Sequence, residues 1–133
     1  EAEWPNRLPR SGRKVGGIVP HVASVYPLEI ALAQTVAAGK AIIGVTGDAV
    51  NEMNAGHAQD NEAPSKDDTL DLLQRNSATA SAAIRALSDK ELDQAAPVSL
   101  YGDAPLTCQL VLEDHAVRHS YHHLAKIRAA LLS

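Results

Sequence analysis

Four of the six histidines in this 133-residue chain fall within nine residues, His115, His119, His122 and His123. Neutral imidazole is the commonest protein ligand for transition metals, so the cluster points first to metal chemistry. If the segment is helical, His119 and His123 differ by about 40° in direction and by one turn in height. Both rings then reach a single ion. The same spacing argument admits His115 with His119, and His119 with His122. The position of His119 and His123 between Val117 and Ile127, on the expected inward side, favours that pair. Two ligands do not hold an ion firmly, so a third is expected from another helix. His21 is the natural candidate, because it shares the apolar side of an earlier segment with Ile18, Val25 and Leu28. A hydrogen-bonded core histidine at position 21 and a solvated histidine face at 115–123 are the competing readings. Taken alone, the residues suggest a metal without fixing its ligands.

Several carboxylates could accept the second ring proton of a ligand and so orient it. Glu113, Asp114 and Asp48 are candidates, as is Glu29, eight residues after His21 on roughly the same side. Each is equally readable as a solvated charge. Asn54 could hydrogen-bond a substrate or the closing helix. His57, His115 and His122 are further proton carriers that no spacing argument selects. Cys108 is the only cysteine, which excludes an intrachain disulfide and reads as a small buried thiol suited to a reducing compartment.

These groups must be held by helices. Ile18, His21, Val22, Val25, Leu28, Leu32 and Val36 recur at intervals of three and four, which predicts a helix from about Val15 that stops at Gly39. Pro20 either occupies its first turn or kinks it. A second helix is expected over 48–58 with Asp48 as its cap, followed by a loop over 60–65. Ser65 with Asp68 reads as a helix start, and Leu70, Leu73, Ala80, Ile84 and Leu87 supply an apolar stripe. Ser88 with Glu91 opens a short turn. Residues 95–104 read as a connection with a brief extended piece over 98–101. The last helix is expected from Pro105 or Leu106 to Leu132, with Leu106, Leu110, Val117, Leu124, Ile127 and Leu131 facing inward. The predicted fold is all-α, an antiparallel helical bundle with three substantial helices and one short one. It forms a single domain over 1–133, with 1–14 as an irregular N-terminal arm.

Composition agrees with that class. The chain has no phenylalanine and many alanines, which suit close helix packing and give a sheet little to grip. A net charge of −4 gives no support for binding nucleic acid or an anionic membrane. Arg7, Arg10, Arg13 and Lys14 read as a solvated arm. No uninterrupted apolar run long enough for a membrane span and no leader-like segment is visible, so a cytoplasmic location is expected.

The run His119-Ser-Tyr-His122-His123-Leu-Ala-Lys-Ile127-Arg resembles the closing helix of the DinB-like superfamily, with two metal histidines four apart. That group includes the mycothiol-dependent maleylpyruvate isomerases and bacillithiol transferase-like proteins. Val15-Gly-Gly-Ile-Val-Pro-His21-Val-Ala-Ser resembles the segment with the family's first ligand, and Asp48-Ala-Val-Asn-Glu-Met-Asn54-Ala resembles its acidic and asparagine-bearing segment. The resemblance spans most of 15–132 and implies His21, His119 and His123 as ligands. It also implies a four-helix bundle whose divalent ion keeps an open position, zinc by preference, with nickel or iron as alternatives. A low-molecular-weight thiol would lose its proton at the ion and attack a small electrophilic substrate, giving thiol-dependent transfer or isomerisation. Family members carry a full helix before the segment that appears here as Trp4-Pro5. A core lacking that helix is expected to close by homo-oligomerisation, most simply as a dimer. The alternative function is a non-catalytic, metal-stabilised stress-response or interaction module.

Overall fold

A computed structural model of the chain describes residues 3–8, 12–59 and 65–132. Of the loop expected over 60–65, residues 60–64 lie outside them, as does the basic residue Arg10. Helix α1, Val15–Ala37, runs through both of its prolines. Pro20 falls beyond the first turn. Pro27 has no N–H for the Ala23 carbonyl one turn back, and the Asn76 side-chain amide donates to that oxygen instead at 2.8 Å. The helix ends where predicted: Gly39 takes φ +72°, and Lys40 N–H bonds back to the Thr35 carbonyl at 3.0 Å.

Helix α2, Gly47–Gln59, and helix α3, Lys66–Arg85, follow. Ser65 Oγ accepts the Asp68 N–H at 3.1 Å, so the predicted start of α3 is present. The short helix α4, Asp89–Asp93, opens on a reciprocal capping box between Ser88 and Glu91. Helix α1 packs along α3, and its residues Ile30, Ala33 and Val36 enter a core with Ala80, Ala96, Cys108, Val111 and Ala116. Small side chains dominate that core, which lets helices approach closely without any phenylalanine.

Two expectations need correction. The chain is mostly helical, but not all-α: strand β1, Ala95–Val98, pairs antiparallel with β2, Ala104–Thr107. A short turn over Ser99–Tyr101 joins them, closed by Gly102 and Asp103 at positive φ. Pro97 lies opposite Pro105 in this ribbon. A two-stranded edge tolerates proline, and Pro105 is taken up in this ribbon, so the last helix begins after Thr107 rather than at residue 105 or 106. It begins as α5, Cys108–Val111, with Thr107 Oγ1 accepting the Leu110 N–H at 3.2 Å.

The inward face of the closing helix is the second correction. Beyond α5 the chain makes a π-helical turn over Leu112–Val117, in which Arg118 N–H reaches the Glu113 carbonyl five residues back. It continues as α6, Arg118–Leu131. Cys108, Val111, Leu112 and Ala116 are buried, whereas Leu110, Val117, Leu124 and Leu131 are 39–45% exposed. Leu110, Val117, Leu124 and Leu131 thus lie on the outer side, while Leu106 and Ile127 pack against the core as expected. The buried face is mostly small, with Cys108, Val111 and Ala116 beside Leu112, because the contact with α1 is close.

The N-terminal residues described are folded onto the bundle. Leu8 is buried with Ile18 and Val22, Arg7 bridges to Lys14, and Trp4 lies over Gly16. By length and mean hydropathy α1 could cross a membrane, unlike what its interrupted apolar run suggested. In this fold it is the helix on which the others pack, and it carries buried His21 and Glu29.

A Cβ at Gly16 would collide with the Trp4 indole. Gly16→Ala is therefore expected to displace the N-terminal segment and to cost about 1–3 kcal/mol. Emission from Trp4, the only tryptophan, should shift to the red as the urea midpoint falls. An unchanged spectrum and midpoint would refute that packing.

Candidate metal centre

Helix α1 supplies His21 and Glu29, two turns apart on one face, and α6 supplies His119 and His123, one turn apart. The two helices are pinned together beside the cluster by a 2.7 Å hydrogen bond between the Tyr26 hydroxyl and Ser120 Oγ. Three Nε2 atoms converge. His119 Nε2 lies 3.3 Å from His21 Nε2 and 3.0 Å from His123 Nε2. One ligand atom from each ring falls within 4.8 Å of the others. The rings stand nearly perpendicular, with interplanar angles of 80–90°. A tetrahedral ion bound at 2.0–2.1 Å holds its nitrogens about 3.4 Å apart, so the donor set fits such an ion. Mutual hydrogen bonding does not account for the convergence as well: His119 Nε2 faces two other nitrogens, and a neutral ring carries one N–H only.

The far sides of the rings matter as much. Glu29, 7% exposed, places Oε1 3.0 Å from His119 Nδ1. The pair does not meet hydrogen-bond geometry, so the contact is electrostatic as it stands. A proton fixed on His119 Nδ1 leaves the Nε2 lone pair aimed into the cluster. Burial pushes His123 down to about 4, helped by the neighbouring rings of His119 and His21 and by Lys126. That ring is therefore neutral, and able to donate a lone pair, well below its ordinary titration range.

Beside the cluster lies a cavity of about 270 Å³. Val25, Leu28, Leu32, Val50, Met53 and Leu100 make its apolar wall. His21, Glu29 and His119 face it from the ligand side, and Asn54, Asp114, His115, Arg118 and His122 complete the lining. Asn54 Oδ1 is buried and has no partner among the described residues. Asp114 is engaged by the Tyr101 hydroxyl and by Arg118 Nε at 2.6 Å. The Tyr101 contact, more than Arg118, holds its carboxyl below the usual range. Burial and the same contact push the Tyr101 phenol up to about 12. His115 Nε2 joins Tyr101 at 3.1 Å.

The structure brings His21, His119 and His123 together with Glu29, and sets Asn54 and Asp114 in the adjoining wall. It does not bring Asp48 or Glu113 there. Asp48 is exposed in the first turn of α2, and Glu113 points outward to Gln109 Nε2 at 2.8 Å. Neither contacts a ring of the cluster, so the expectation that they orient a ligand is withdrawn. The His57 side chain lies outside the described residues. Sequence reasoning missed Tyr26, Ser120 and Tyr101. Tyr26 lies five residues after His21 and carried no spacing signal.

Comparison of the chain with protein-family models, with curated proteins and with solved structures yields no match.

The lowered pKa of His123 fixes a pH dependence. Its folded value, about 4, lies below the ordinary 6.5, so the unfolded chain binds the extra proton between those values. In metal-free protein the His123 contribution should be fully present above pH 6.5, be lost as pH falls toward 4 and change no further below, where protonation of Asp114 takes over the loss. Urea midpoints across that range are expected to fall less steeply in His123→Gln; equal slopes would refute the assignment.

Proposed function

We propose that this chain is a divalent-metal protein of the DinB-like type, in which His21, His119 and His123 hold the ion. We further propose that it uses the centre for a thiol-dependent transfer or isomerisation of a small electrophile in the cytoplasm. The convergence of three Nε2 atoms at 3.0 and 3.3 Å carries the reading. Three neutral nitrogens leave a divalent ion room for another ligand, the arrangement of catalytic rather than structural zinc, and zinc is preferred on that ground. When bound, such an ion supplies a Lewis acid that lowers the pKa of a bound water or thiol. Nickel and iron also accept this donor set.

The chain's own residues have separable duties in this reading. Glu29 orients His119 through Nδ1. The aliphatic wall from α1 and α2 excludes water from one side of a bound small molecule. Asn54 and the Tyr101–Asp114–His115 group offer polar contacts on the rest of it. The single thiol, Cys108, takes no part: it is fully buried in the core, and burial pushes its pKa up.

A second reading has an observation in its favour. The cluster joins the first long helix to the last, so an ion there would staple the bundle without turnover. Elemental analysis and activity assays separate the two. Wild-type protein is expected to carry about one divalent ion per chain, lost in His119→Ala and His123→Ala. Glu29→Gln is expected to weaken binding about 10- to 100-fold. Loss of thiol transfer or isomerisation together with the metal supports the enzyme. Full loading with no turnover for any thiol–electrophile pair leaves the staple. Stoichiometric metal retained after removal of both His119 and His123 would sink the site.

A further inference from the structure

The outer side of α6, opposite the histidines, carries an uncovered row whose sequence reads the same chemistry in reverse. Val117, Leu124 and Leu131 recur every seven residues and are 45%, 40% and 39% exposed. Tyr121, 69% exposed, lies beside them. A seven-residue apolar repeat drifts by only about 20° per step on a helix, so it forms a continuous seam of the kind that pairs helices. The charges along this seam are not random. Exposed Glu113 stands four residues before Val117, and exposed Arg128 stands four residues after Leu124. The order acid, apolar, apolar, base is complementary to its own antiparallel copy.

We propose that two copies of this chain pair antiparallel through α6, about a two-fold axis that passes between Ser120 and Tyr121. That axis sets Val117 of each copy against Leu124 of the other. The same operation, with no further adjustment, sets Glu113 of each copy beside Arg128 of the other, giving two ion pairs per dimer. One register therefore satisfies Val117, Leu124 and both charged positions, and Leu131 closes the end of the seam without a row partner. A parallel pairing in register would oppose Glu113 to Glu113 and Arg128 to Arg128, so charge selects the antiparallel arrangement. The π-helical turn contributes here. It rotates Leu110 out of the row and leaves Glu113 in it, because a π turn takes 4.4 residues where an α turn takes 3.6. His119 and His123 lie on the far side of the helix against α1, so the pairing leaves the metal centre and its cavity free.

The test is the molar mass in solution across a concentration series, by sedimentation equilibrium, with circular dichroism as the fold control. Wild-type chain is expected to be a reversible dimer. Glu113→Arg and Arg128→Glu each place two like-charge contacts in the interface and should weaken dimerisation by about tenfold or more. The double substitution Glu113→Arg with Arg128→Glu restores both pairs with their signs exchanged, and should return the dissociation constant to within about threefold of wild type. Tyr121→Cys, next to the axis, should form an intermolecular disulfide on mild oxidation, since native Cys108 is buried. A chain that stays monomeric at every concentration overturns the proposal. So does a dimer indifferent to the single reversals, or a double variant that dissociates as readily as the single ones.

Discussion

The contact between α1 and α6 governs what the molecule can do, because it joins residues nearly a hundred positions apart into one donor set. Two features fix it. The Tyr26 hydroxyl grips Ser120 one residue beyond His119, which sets the height of α6 along α1. Below that grip, the small side chains Ala116 and Cys108 let the closing helix lie close against Ala33 and Val36. A larger residue at either place would move the α6 rings away from His21. An ångström of displacement is enough to turn a 3 Å nitrogen–nitrogen approach into separate, solvated histidines.

That approach is costly without an ion. Three ring nitrogens point at one another, and the cluster cannot supply a proton to every pair. Adding protons is worse, since each cationic ring then faces the other two, and burial opposes the charge as well. Burial first, and the neighbouring rings second, lower the pKa of His123. Proton and metal compete for the same lone pairs. A site that resists protonation therefore stays open to a metal over a wider range of pH.

Much of this was legible in the sequence, and the reasons are local. Spacing by four placed His119 and His123 on one face, and apolar periodicity placed His21 among core residues. Gly39, Ser65 and Ser88 marked helix ends because their roles depend only on near neighbours. The hairpin over residues 95–107 was not legible as a pair, since strand pairing is set by a partner several residues away and two prolines masked its pattern. Periodicity also assigned Leu110, Val117, Leu124 and Leu131 of the last helix to the wrong face, though it placed Leu106 and Ile127 correctly. The large aliphatics there form a clean row, and a row of leucines reads as core until something shows that alanine and cysteine are what the neighbouring helix can accommodate. The π turn, which shifts the phase of everything before it, left no mark in residue type.

Glu29 ties the electrostatics of α1 to the histidine cluster. A carboxylate this buried is unfavourable unless positive charge stands near it. Its Oε1 lies 3.0 Å from His119 Nδ1, and its second oxygen has no hydrogen-bond partner among the described residues. A neutral imidazole provides a polarised N–H but no full charge. Protonating His119 would supply that charge and at the same time remove the lone pair that faces His21 and His123. A divalent ion held by the three Nε2 atoms would resolve both demands: it would leave the Nδ1 proton for Glu29 and bring net positive charge within reach of the carboxylate. The buried acid and the converging imidazoles are thus two halves of one electrostatic arrangement, and neither is well explained without the other.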